Sequence, residues 1–204
     1  MLTVYEIDGL TPVVDPTAFV APTAVLIGDV IIGAGVYIGP GAVLRGDFGR
    51  ITVEAGSNIQ DTCVLHTLPN GDTVIEANGH VGHGAILHGC RICSGALIGM
   101  GAVIMDNAVI GESAIVAAQA FVKAGMQVPP GSLAAGIPAK VVRQLTEAEL
   151  AWKRDGTGLY QKLAQRCLKS FRATKPLAAV EAKRERIQIE AFPTIDGARQ
   201  KSTQ

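Results

Sequence analysis

Aromatic residues are scarce in this chain: five Phe, three Tyr and one Trp among 204 residues. Charged residues make up 18%, against a usual share of about 25%. They also cancel, with 18 Lys and Arg facing 18 Asp and Glu. Without net positive charge, or a basic stretch interleaved with aromatics, the chain does not read as a nucleic-acid binder. No run of about 18 apolar residues occurs, so no membrane-spanning helix is expected. The opening MLTVYEIDGL lacks the basic and apolar regions of a secretory signal, and the expected location is the cytoplasm. Four Cys are too few for a disulfide framework, and in that compartment they are expected to be reduced.

What is abundant is Gly, at 24 residues, within a chain that is 48% hydrophobic. There is ample apolar surface to bury, which argues against disorder. With so few rings, the core must be built from Val, Ile, Leu and Ala. These residues recur with a period of six. Aliphatic residues lead at Val20, Leu26, Ile32, Ile38 and Leu44, and a small or β-branched residue follows four places later at Ala24, Val30, Val36 and Ala42. The register slips through residues 49–51 and resumes at Val53, Ile59 and Leu65. It breaks again over residues 67–73, then returns at Ile75, Val81 and Leu87. After a slip of one it runs through Ile92, Ile98, Ile104, Ile110, Val116 and Val122, making 17 repeats.

A period of six fits neither a helix of 3.6 residues per turn nor an alternating strand. It is the mark of a hexapeptide β-solenoid, a parallel β-helix. Each hexad supplies a short strand and a corner, and three hexads close a triangular turn, so five to six turns are expected. The prism is narrow, which accounts for the few aromatic rings.

The charge is divided unevenly. Residues 1–142 carry 5 basic and 11 acidic side chains, and residues 143–204 carry 13 and 7. The reading is a β-helix over 1–142, a C-terminal helical segment over 143–180 packed alongside it, and a polar, loosely ordered tail over 181–204. Thr146 and Glu149 form a T-x-x-E capping box that opens a helix. Gly156 and Gly158 are expected to interrupt that helix. Leu159, Leu163, Cys167 and Phe171 then form the apolar stripe of a second one. The basic helix is expected to pack on the acidic prism in preference to binding coenzyme A phosphates.

All four His fall within 23 residues, at 66, 80, 83 and 88. Clustered imidazoles suit a borderline cation such as Zn²⁺, with three protein ligands and a water as the catalytic arrangement. The repeat places His83 two residues after Val81 and His88 one residue after Leu87, on opposite sides of a corner. Their side chains should diverge. His66 stands one turn before His88 in a nearly equivalent place. The expected site is therefore shared, with His66 and His88 from one chain and His83 from its neighbour, in a homotrimer around a threefold axis. Cys90 and Cys93 form a lone C-x-x-C, read as core packing, and Cys63 falls on an inward small position.

The stretches LRGDFGRI (44–51), NIQDTCVLH (58–66), GHVGHGAILHGC (79–90) and GIPAK (136–140) resemble the γ-class carbonic anhydrase family over nearly the whole chain. The phenylacetate-degradation (PaaY) branch is nearest and the carnitine-operon (CaiE) branch next. The resemblance implies left-handed winding of the β-helix. It implies His66, His83 and His88 as ligands of a divalent metal, most simply Zn, with Fe or Co as alternatives. It implies Gln60 beside the metal-bound water, Asn58 in support, and Tyr160 reaching toward the site from a helix. Arg45 and Asp47 match a pair that bridges subunits. His80 lies outside the ligand set and is left with a corner or supporting role. Phe48 stands where efficient anhydrases place a proton-moving Glu, and the loop after Leu65 offers only Asp72. The resemblance therefore implies a thioesterase that hydrolyses small acyl-CoA esters of aromatic degradation through metal-bound hydroxide. The alternatives are a carbonic anhydrase, a hexapeptide acyltransferase and a non-catalytic scaffold stapled by metal.

Overall fold

The computed structural model describes residues 3–189 and 191–201. Short parallel strands stack on three faces of a left-handed triangular prism of about 7 turns. The first face carries Phe19–Val20, Tyr37–Ile38, Asn58–Ile59, His80–Val81, Leu97–Ile98, Ile115–Val116 and Ser132–Gly136 in register. On the second face Val64–His66 and Ile86–His88 pair as neighbours, and on the third Asp72–Ile75 pairs with Arg91–Ile92. The prism exceeds the expected five to six turns. Thr3–Tyr5 and Val13–Val14 add strands before Val20, and Gln127–Val128 and Ser132–Gly136 add them after Val122. Ala139–Gln144 then folds back antiparallel on Ser132–Gly136 and closes that end.

The six-residue period dictates this shape. All 17 lead residues are buried, and so are Ala24, Ala42, Ala85, Ala96, Ala102, Ala108, Ala114 and Ala120 beside them. Each large lead side chain fills a layer of the triangle, and burying one stabilises the fold by roughly 1.5–3 kcal/mol. The corners need left-handed backbone. Gly28 takes φ +70, and a Cβ there would lie 2.5 Å from the carbonyl oxygen of Gly46. Elsewhere Asn78 and Asn107 adopt the same conformation at φ 59 and 58, as short polar residues can.

Register partners on the first face are Phe19 with Tyr37, His80 with Leu97 and Leu97 with Ile115. Tyr37 pairs with Asn58 and Asn58 with His80 across longer turns. The extra residues are those that broke the period at 49–51 and 67–73. Residues 49–51 lengthen the strand Val43–Val53 and pair with Asp72–Thr73, residues 67–71 form a loop, and the stacking continues beyond both. Cys63 and Cys90 are buried free thiols. Burial pushes Cys63 up to about 11 and Cys90 to about 12; Cys93 is only partly enclosed.

The C-terminal segment forms one helix where two were expected. Helix α1 runs from Glu147 to Ser170 without a break at Gly156 or Gly158. A mid-helix Gly costs about 1 kcal/mol relative to Ala, too little to break a helix held along its whole length by the prism. Its N-terminus has the capping box of Thr146 and Glu149. The fully buried residues of α1 are Glu149, Lys153, Thr157 and Ala164; of the expected stripe, Leu163 and Cys167 are partly buried against the core, while Phe171 is exposed. Glu149 is held by both terminal nitrogens of Arg143, at 2.7 and 2.8 Å. Aromatic contacts add to this, with Tyr160 against Tyr37 and Phe171 against Phe19. The charge difference between the halves is thus not what the main α1 contacts express. The tail is docked in part. A second short helix, α2 (Ile195–Lys201), follows a turn where Trp152 stacks on Phe192 and donates to the carbonyl of Pro193 at 2.8 Å. Residues 190 and 202–204 lie outside the described residues. Among the described residues no helix is long and apolar enough to cross a membrane.

Candidate metal centre

One turn of the prism brings His66 and His88 together as register partners. His66 Nδ1 faces His88 Nε2 at 3.2 Å. The remaining nitrogen of each ring meets a carboxylate: His66 Nε2 lies 3.0 Å from Asp47 Oδ1, and His88 Nδ1 lies 2.5 Å from Asp106 Oδ1. With the carboxylates ionised, each neutral ring places its proton on the nitrogen that faces the carboxylate. The two facing nitrogens then present lone pairs to each other. Lone pairs at that distance repel unless a proton or a cation lies between them. Carboxylate-backed imidazoles are the usual supports of a metal, and the pair fits a borderline divalent cation.

His83 sits beyond the corner, as its place in the repeat predicts. Its Nδ1 lies 2.9 Å from Asp61 Oδ2, so it too has a carboxylate behind it. Its Nε2 is left outward, 3.4 Å from the Tyr160 hydroxyl. Among the described residues of the chain no three His, Cys, Asp or Glu side chains converge on one point. His66 and His88 are brought together; His83 is not brought to them within the chain.

Arg45 and Asp47 pair with each other inside the chain at 2.7 Å. Asp47 is shared with His66. Burial works to raise the Asp47 carboxyl. Hydrogen bonds from Arg45 and His66 outweigh it and leave the group below the ordinary carboxylate range. Phe48 lies against the His66 ring, centroids 5.1 Å apart. It gives that flank an apolar wall in place of a titratable group.

Gln60 is fully committed. Its amide nitrogen donates to Asn58 Oδ1 at 3.0 Å and to His80 Nε2 at 2.8 Å, and its Oε1 accepts the backbone N–H of His83 at 3.2 Å. Both amide hydrogens are used, so only a lone pair on Oε1 remains for the site. For His80 this requires an acceptor Nε2 and a proton on Nδ1, which faces Thr157 Oγ1 of α1 at 3.3 Å. Thr157 in turn donates to the carbonyl of Lys153. Burial foremost, then the charges of Lys153 and His83, depress His80 to about 4. His80 is therefore a neutral strut between Gln60 and α1. The buried Asn58 Nδ2 has no hydrogen-bond partner among the described residues. Tyr160 is placed beside His83 as expected, and burial pushes its phenol up to about 12, which keeps it a donor at neutral pH.

Sequence reasoning missed the carboxylates Asp61 and Asp106 and the tie from His80 to Gln60. A signal was present. Each of the three His outside that tie has an Asp about one turn away: Asp47 for His66, Asp61 for His83 and Asp106 for His88.

Comparison with known proteins places this geometry in context. The profile described as bacterial transferase hexapeptide (six repeats) matches residues 11–46 and 89–124. The carnitine operon protein CaiE of Salmonella newport is 58% identical over 90% of this chain and 93% of its own. A crystal structure from Bacillus cereus, titled as an acetyltransferase, is 36% identical with a TM-score of 0.80, covering 81% of this chain and 96% of that one. A hexapeptide transferase family protein from Anaplasma phagocytophilum is 42% identical with a TM-score of 0.78, covering 80% and 97%.

Proposed function

The chain belongs to the hexapeptide-repeat family that includes the carnitine operon protein CaiE, and from that premise we propose that it cleaves small acyl-CoA thioesters at a metal ion held between neighbouring chains of a homotrimer. The observation that carries this reading is the His66–His88 pair, whose ring nitrogens face each other at 3.2 Å with a carboxylate behind each ring. His66 and His88 would hold the ion, with Asp47 and Asp106 fixing their tautomers. His83 of an adjacent chain, backed by Asp61, would complete the set of three. A divalent metal bound there supplies Lewis acidity, polarising a carbonyl and making water a better acid at neutral pH.

The remaining work falls to the chain's own residues. Gln60 offers only Oε1, so it accepts a hydrogen bond from water and turns a lone pair of that water toward the thioester carbonyl. It has no free N–H for an oxyanion. Tyr160, held protonated by burial, is the donor available for that oxygen. Phe48 leaves the flank of His66 without a proton-moving group. That loss weighs more on rapid CO₂ hydration than on a slow hydrolase.

The second reading is acyl transfer to an acceptor other than water. The names of the solved relatives favour it, and any of the His–Asp pairs could serve it as a general base. The two readings share the thioester and differ in acceptor and in need for metal. Protein purified without chelator should contain a divalent metal by elemental analysis. It should cleave acyl-CoA with water as the sole acceptor, lose that activity to a chelator and regain it with Zn, Fe or Co. Metal-independent turnover that requires an amine or hydroxyl acceptor would establish the acyltransferase. Strong CO₂ hydration without thioester cleavage would establish an anhydrase.

A further inference from the structure

A cavity of about 580 Å³ lies between α1 and the first face of the prism, within the range of ligand sites. Its two ends differ in chemistry. One end is formed by Gln60, His80, His83 and Tyr160. From there the register column of the first face passes from Asn58 and His80 to Leu97, Ile115 and Leu133. The column is polar at the two rungs nearest the site and apolar at the next three. From His80 to Leu133 is three strand spacings, ~14 Å.

The opposite wall is α1. Trp152, Gly156 and Leu159 line it, and Phe192 and Ile195 of the tail close its far side. Gly156 is the informative residue. It sits inside the unbroken α1, and a Cβ in its place would lie 3.2 Å from the Phe192 ring. The missing side chain lets the Phe192 ring close against α1 and form that end of the cavity. Lys153 lines the cavity with its stem, and its Nζ lies beside Gly95 on an adjoining polar cavity.

We propose that this cavity binds the apolar, medium-length acyl chain of the thioester, its carbonyl end toward Gln60, His83 and Tyr160. An elongated apolar slot ending in hydrogen-bonding groups matches an acyl chain better than a compact acetyl group. The inference rests on the thioester reading above and narrows its substrate class.

Trp152 is the chain's single Trp and lines the cavity, so binding can be read without turnover. Octanoate titrated into the full-length protein should change Trp152 fluorescence saturably, and acetate should not. Ala117→Leu fills the slot from the prism side. Leu133→Gln keeps the wall's volume and makes it polar. Each variant should weaken the octanoate response by about tenfold or more while retaining the unfolding midpoint. For turnover, kcat/KM for octanoyl-CoA should exceed that for acetyl-CoA by about tenfold or more, and Ala117→Leu should erase the preference. Octanoate without effect on Trp152, or a response that both variants retain, overturns the inference. Octanoate binding without cleavage of any thioester leaves the cavity assignment standing and removes the hydrolase reading. Cleavage that favours acetyl-CoA, with no octanoate response, does the reverse.

Discussion

His80 offers the sharpest test of the hydrogen-bond chain that links the site to α1. It is neutral when folded, depressed to about 4, chiefly by burial, against about 6.5 for an unperturbed His. Above pH 6.5 it is neutral in both folded and unfolded chains and adds no pH dependence. Between 6.5 and 4 the unfolded chain binds a proton that the folded chain refuses, so stability falls as pH falls through that window. Each pKa unit is worth 1.36 kcal/mol, so about 2 kcal/mol is lost by pH 5. For a chain of this size that lowers the unfolding midpoint by roughly 4–8 °C. His80→Gln does not titrate and keeps an oxygen to accept from Gln60. Midpoints of both proteins, measured from pH 8 to pH 5, share every other titration, and their difference isolates His80. That difference should be flat above pH 7 and move against the wild type below it. A difference that stays constant down to pH 5 would refute a neutral, enclosed His80 and the Gln60 orientation that depends on it.

Other outcomes follow from the same contacts. Glu149→Ala removes the capping carboxylate and the partner of Arg143; it should cost about 2 kcal/mol, read as a lower urea midpoint. Gly28→Ala forces a Cβ to 2.5 Å from the Gly46 carbonyl at positive φ; it should cost about 3 kcal/mol or more and lower soluble yield. His83→Ala should lose metal by elemental analysis as fully as His66→Ala, although His83 touches neither His66 nor His88 in its own chain; full retention would place the metal elsewhere. Tyr160→Phe should lower kcat for thioester cleavage by ~10²-fold with little change in KM. An equal fall in all substrates' binding instead would give Tyr160 a packing role.

The prism was legible because a stacked triangle repeats one demand: an aliphatic residue every sixth place, as at Ile98, Ile104 and Ile110. Its ends were less so, since Val13–Val14 and Gln127–Val128 have weaker flanking pattern. Gly156 misled for a physical reason. Helix propensity is a local quantity, and α1 is held by non-local contacts from Glu149, Thr157 and Tyr160. The polar buried stripe was equally hidden, because Glu149 and Thr157 are buried only through Arg143 and His80, partners distant in the pattern that sequence reading follows. At the site, the grouping of His66 with His88 and the separation of His83 came directly from the repeat. The carboxylates behind them needed one more step, a search for acids one turn away.

The two long turns have a further consequence. Residues 49–51 stay within the paired strand Val43–Val53, whereas residues 67–71 leave the prism as a loop beside His66 and rejoin it at Asp72–Ile75. Thr73 Oγ1, in the strand to which the loop returns, bonds the His66 carbonyl at 2.6 Å, so the pair of rings is anchored by the ladder and not by what residues 67–71 contain. Lengthening or recharging them would change which molecules can approach the rings, while the rings' own spacing stayed fixed by the ladder. The scaffold separates the tuning of access from the tuning of chemistry.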